Sequence, residues 1–191
     1  MNKRLLILFA AALSLGLLFA CSKEVKEPTP ITDRDPAINV APLGVEVGYT
    51  NLVGLKEKLG NIIKIDYKGQ NEVSNGVMMF SDGLGLGLKE LNSILFIFNR
   101  ENILVGVVME MKKDMESMNR QLLQQYTPIT SDIDDSLEFG NVRYEKGDSF
   151  VEVDAQKESD FMELRFRTKQ FQSDIDSQKS EAPHQAPSND K

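Results

Sequence analysis

SILFIFNRENILVGVVM, residues 93–109, decides how this chain is read. Two runs rich in β-branched and aromatic residues flank the polar quartet Asn99, Arg100, Glu101 and Asn102, a spacing that predicts two strands folded back through a short turn. Because both faces of each run are apolar, the hairpin belongs in the middle of a sheet rather than at its edge.

Upstream, Leu52, Leu55 and Leu59 recur at helical spacing behind a capping Thr50 or Asn51, and Gly60 stands where a left-handed stop residue is wanted. Ile63, Ile65 and Tyr67 then alternate with Lys64 and Asp66, and Val77 to Phe80 follow an Asn75-Gly76 turn, predicting two shorter strands. Downstream, Met111, Met115, Met118, Leu122 and Tyr126 step by three or four residues, an amphipathic helix stopping before Pro128. Strands are expected over residues 137–144, 149–155 and 161–167, where Val151 and Val153, then Met162, Leu164 and Phe166, alternate with charged residues. Phe171 and Ile175 give a last short helix, about residues 169–176, something to dock with.

The expected fold is therefore α+β, a mainly antiparallel sheet with helices on one face. The two halves, about 46–111 and 112–170, share one helix-plus-meander plan, with too little residue identity to establish duplication. Flanking segments bound the domain to residues 43–175. Residues 22–42, SKEVKEPTPITDRDPAINVAP, carry four prolines and no apolar period and read as part of a flexible tether over 21–42. Residues 176–191, DSQKSEAPHQAPSNDK, read as a disordered polar tail.

At 191 residues with one Cys, one His and no Trp, the chain lacks most catalytic parts. Cys21 ends an apolar run and His184 lies in the tail, so the expected domain holds neither. Ser-His-Asp and Cys-His hydrolysis, Cys/His zinc sites and thioredoxin chemistry are excluded on inventory.

Residues 1–20 combine Lys3 and Arg4 with an apolar stretch from Leu5 to Phe19, the plan of a secretory signal and too short to span a bilayer. The quartet Leu18-Phe19-Ala20-Cys21 resembles the lipobox of bacterial lipoproteins. That resemblance implies cleavage after Ala20, a diacylglycerol on the Cys21 thiol and acylation of the new amine, enough methylenes to hold a protein on a membrane. Ser22, in place of an Asp, goes with sorting to the outer membrane. Losing Lys3 and Arg4 from the 22 basic side chains leaves 20 against 29 acidic ones, a net charge of −9. An acidic body argues against nucleic acid as a partner and against lying flat on anionic lipid.

Few motifs suggest chemistry. The loop around Gly83, Leu84, Gly85, Leu86 and Gly87 is glycine-rich, yet it lacks the GxGxxG spacing, a Walker Lys and a surrounding βαβ unit. Its alternating leucines instead suggest a mobile apolar lip, and this is the candidate binding loop. Asp132, Asp134 and Asp135 cluster without the EF-hand glycine or closing Glu, which favours a solvated turn over a metal site. Met109, Met111, Met115 and Met118 suit either core packing or an adaptable groove, and helical spacing favours the core. No catalytic residue, metal or cofactor is expected.

Gly48-Tyr49-Thr50, Leu55 and Leu59-Gly60 resemble the start and stop of the first helix in the small SmpA/OmlA (BamE-like) lipoproteins. The resemblance implies a periplasm-facing α+β lipoprotein that associates with an outer-membrane assembly machine. The expectation is thus a non-enzymatic, lipid-anchored protein of the bacterial outer membrane with an envelope protein as partner. The alternatives are a small-ligand or inhibitor-type binding module and, third, a carboxylate-based hydrolase.

Overall fold

The computed structural model describes residues 28–32, 34–133 and 138–181, and the central hairpin organises everything else. Its strands β3 (Leu91–Phe98) and β4 (Leu104–Lys112) pair antiparallel with Ile94 opposite Met109 and Phe96 opposite Val107. Asn99 makes the turn: its Oδ1 accepts from the N–H groups of Glu101 at 3.0 Å and Ile103 at 2.9 Å, and Asn102 takes the left-handed conformation that Asn tolerates.

Strands β1 (Asp66–Asn71) and β2 (Gly76–Ser81) extend the sheet on one side. On the other, β4 pairs with β8 (Phe161–Thr168), which pairs with β7 (Ser149–Ala155), then β6 (Gly140–Lys146), then β5 (Thr127–Ile133). The result is one eight-stranded antiparallel sheet in the order β1-β2-β3-β4-β8-β7-β6-β5, so mixed α+β and mostly sheet. No described helix is long and apolar enough to cross a membrane.

Helices α1 (Leu52–Leu59) and α2 (Met115–Leu123) cover one face. Leu55, Leu59, Met115 and Leu122 join Ile94, Phe96, Phe98, Val107, Val153 and Leu164 in the main core. Asn51 caps α1 by accepting from Gly54 N–H at 2.8 Å, and Asp114 caps α2 from Ser117 N–H at 3.1 Å. The third helix, α3 (Lys169–Glu181), corrects the expectation of helices on one face. Phe171 and Ile175 pack with Leu95, Ile97, Val105 and Val108, which alternate with the main-core residues and therefore lie on the opposite face. Gly106 makes the room, since a Cβ there would come within 3.2 Å of the Phe171 ring.

Other boundaries also move. Met111 belongs to β4, opposite Met162, because pairing with β8 carries that strand through Lys112. The first strand starts at Asp66, and Ile63 is buried in the core beneath the end of α1. Gly60 keeps right-handed angles and donates to Lys56 O at 2.8 Å, prolonging the turn instead of reversing it. The strand expected from residue 137 begins at Gly140, and residues 134–137 lie outside the described ones. The helix expected to stop near 176 runs to Glu181, aided by Gln170–Asp174 and Gln172–Asp176 contacts one turn apart.

The expected tether over 21–42 needs the largest correction. From Pro28 on it is a strap bound to the end of the sheet that carries the β3–β4 turn. Ile31 exchanges hydrogen bonds with Asn51, whose side-chain amide also donates to Thr29 O at 2.8 Å. Val40 is fully buried, and its N–H donates to Ser149 Oγ at 2.8 Å. The lock is Glu46, a fully buried carboxylate that accepts from the Arg34 guanidinium and from the N–H groups of Ile38 and Asn39 at 3.1 and 2.9 Å. Burial alone would raise the Glu46 pKa, but these donors outweigh it and hold the carboxyl below its usual value.

Candidate functional site

The loop between β2 and β3 is shaped by three glycines at positive φ, Gly83, Gly85 and Gly87. At Gly85 a Cβ would collide with the carbonyl oxygen of Ile62, so only glycine lets the loop back onto the segment after α1. The N–H groups of Gly83, Leu84 and Leu86 are already taken by Ser81 Oγ, Asp82 Oδ1 and Gly83 O. They are not free to cradle a phosphate.

The leucines divide in two ways. Leu86 packs against the core, whereas Leu84 stands 75% exposed and Leu88 42%. They have apolar company at this end of the sheet: Ile62 is 49% exposed, Tyr67 63% and Phe161 42%. Phe161 opens β8 and lines a shallow hollow with Leu91, Lys89 and Lys112 beside the loop. Exposed large apolar side chains are ordinary singly, but Ile62, whose carbonyl oxygen lies against Gly85, adjoins exposed Leu84 and Leu88, whereas Tyr67 and Phe161 stand on opposite faces of the sheet and four strands apart.

The second feature is the sheet face opposite α1 and α2, and sequence reasoning missed it. Across β6, β7 and β8, Arg143, Glu152 and Arg165 stand directly opposite one another. Glu152 accepts from Arg143 Nε at 3.2 Å and Arg165 Nη1 at 3.1 Å; Arg165 also reaches Asp154 at 3.0 Å and Glu163 at 2.8 Å. Burial would raise the Glu152 pKa, yet the two guanidiniums hold it below the ordinary glutamate value. Arg143 lies over the Phe150 ring at 4.5 Å. The alternation of charged with apolar residues had marked this side as solvated, but its charges are locked into one another.

Arg167, two residues along β8 on the same face, slips under α3. Its Nη1 donates to Gln172 Oε1 at 2.6 Å, while its Nε is buried without a partner. Burial lowers its pKa, and the like charges of Arg165 and Arg143 add to that. Between α3 and the ladder runs a groove of about 550 Å³, walled by Ser173, Ser177 and Gln172 against Ile129, Arg143 and Phe150.

Other sequence candidates scatter. Met109 and Met115 are buried and Met111 and Met118 packed beside them, all in the main core. Asp132 is an exposed residue of β5, and Asp134 and Asp135 lie outside the described residues, as do Ala20, Cys21 and His184. No described cluster of three His, Cys, Asp or Glu side chains is placed to hold a metal ion. The described surface thus presents an exposed apolar loop at one end of the sheet and a polar face with a groove beside α3. No family model, curated protein or solved structure matches the chain.

Proposed function

We propose that this is a lipid-anchored protein of the bacterial outer membrane, facing the periplasm, whose domain binds another envelope protein and catalyses no reaction. The anchoring part rests on Leu18-Phe19-Ala20-Cys21 behind the apolar leader. The observation that carries the binding part is the exposure of Leu84 and Leu88 on the 82–88 loop together with Ile62 beside it, at one end of the sheet. A protein surface is what covers such a patch at a gain, at about 25 cal/mol per Å² of apolar area removed from water.

Two tests apply. Cys21→Ser should leave the membrane fraction; retention there would sink the lipobox argument. Crosslinking in membranes should yield a stoichiometric protein adduct that Leu84→Ser with Leu88→Ser abolishes, and an adduct indifferent to those changes would refute the lip as the contact.

The groove under α3 supports the second reading, a small-ligand module, because it joins apolar Phe150 and Ile129 to fixed polar groups. A small molecule copurifying with the chain would favour it. We also propose that the halves are copies of one unit. In support, each runs capped helix then four-stranded meander, and the strand order mirrors about the β4–β8 pair.

A further inference from the structure

We infer that the strap orients the domain on its membrane: the hairpin tips at residues 72–75 and 99–102 face the anchoring bilayer, and the loop at 82–88 faces away from it. This rests on the lipid at Cys21 proposed above. The argument is one of chain length. Were residues 21–42 a free tether, about 21 steps of roughly 3.3 Å would give a reach near 70 Å, and any face could meet the membrane.

The strap removes most of that freedom. Thr29 and Ile31 are bound to Asn51, Thr32 accepts from Thr50, and Arg34 is held by the buried Glu46 and stacks on the Tyr49 ring at 4.2 Å. Only eight steps separate Cys21 from Thr29, at most about 28 Å when straight and about 16 Å for a flexible chain.

The point of attachment is set by the same contacts. Asn51 bridges to Ile103, and Leu52 N–H donates to Asn102 O at 2.9 Å, so the strap ends beside the β3–β4 tip. Ser74 donates to Phe98 O at 2.8 Å, placing the β1–β2 tip at the same end. The 82–88 loop lies at the opposite end of β3, whose eight residues span about 27 Å at 3.4 Å each. Only a fully straight leash would let the loop touch the bilayer that carries the anchor. Of the two tips at the near end, 99–102 carries a matched Arg100–Glu101 pair and 72–75 a single carboxylate, Glu72. The apolar lip is thereby presented to a protein on the side away from the anchoring lipid.

The chain contains no Trp, so a single inserted Trp reports without background. Lipidated protein carrying Arg100→Trp or Leu84→Trp, both at exposed positions, is reconstituted into phosphatidylcholine vesicles containing a dansyl-headgroup lipid. Energy transfer should be several-fold stronger from position 100 than from 84, and Arg34→Ala should shrink that ratio toward one. Equal transfer from the two positions, or stronger transfer from 84, overturns the orientation. If Cys21 proves to carry no lipid, coupling the mature chain to a maleimide lipid through this sole thiol builds the same leash. The two-position comparison then judges the orientation separately from the lipoprotein reading.

Discussion

Phe171→Ala should detach α3 without unfolding the sheet. Phe171 is buried, and with half-buried Ile175 it supplies the apolar grip of the helix. The remaining ties include a Thr168 Oγ1 cap on Phe171 N–H at 3.1 Å, the Lys169 N–H donated to Asp148 O at 2.9 Å, the Arg167–Gln172 hydrogen bond and an exposed Lys169–Glu145 pair at 3.2 Å. Each is worth about 0–1.5 kcal/mol. Deleting a buried Phe side chain costs about 3–5 kcal/mol when the whole fold must bear it. Here the loss is capped, because the helix can let go once the remaining ties no longer offset the ordering of thirteen residues at roughly 1–2 kcal/mol each before helix bonds are counted. The sheet then loses the cover over Leu95, Ile97, Val105 and Val108 while the main core on its other face stays intact. A stability loss of about 1–2 kcal/mol and a Tm fall of roughly 2–8 °C are expected, against about 3–5 kcal/mol and 6–20 °C for Phe96→Ala in the main core. Amide exchange gives the decisive readout: residues 169–181 should lose protection while 94–98 and 151–155 keep theirs. If 169–181 stays protected and Tm falls as far as in Phe96→Ala, the helix is integral to the core and the reasoning fails.

Glu46 and Glu152 both sit below the ordinary glutamate value, so their contribution is complete above roughly pH 4–5 and is lost as pH falls through their lower folded values. Urea midpoints should hold between pH 8 and 6 and drop below about 4.5, and an undiminished drop in Glu46→Gln would clear that carboxylate of responsibility. At pH 7 Glu46→Gln keeps an acceptor but loses the charge facing Arg34, a cost of about 1–2 kcal/mol readable from the same melts. Gly85→Ala, with its collision at Ile62 O, should lower Tm clearly more than Gly87→Ala, which meets open space and bears only the left-handed strain of about 1–2 kcal/mol. Glu152→Ala leaves Arg143 and Arg165 short of a partner on a half-buried face and should cost about 2–3 kcal/mol by urea unfolding, whereas Glu163→Ala, more exposed, should cost under about 1 kcal/mol.

What could be read from residues alone was whatever is enforced locally. The central hairpin was legible because period and turn chemistry agree over residues 93–109, and the helix at 52–59 because its cap and apolar spacing do. Strand β5 was not legible: TPITSDI is exposed along nearly its whole length and has no apolar alternation, so only pairing with β6 makes it a strand. Met111 misled because a residue four places before Met115 fits a helix period as well as it fits the end of a strand. The glycine loop was visible as composition, but which leucines stand outward depended on Ile62 occupying the space behind Gly85. The charge ladder left an alternating pattern in 152–154 and 163–167, yet alternation gives a face and not the partners across three strands.

The sequence by itself determined the scarcity of Cys and His side chains and an antiparallel α+β sheet built around one hairpin, because each depends on residue type or near-neighbour spacing. Tertiary structure alone decided that Glu46 and Arg34 would bind the supposed tether to the domain, and that Gly106 would seat Phe171 on the far face. Both depend on contacts between residues distant along the chain or on different elements, and the sequence lists such residues without bringing them together.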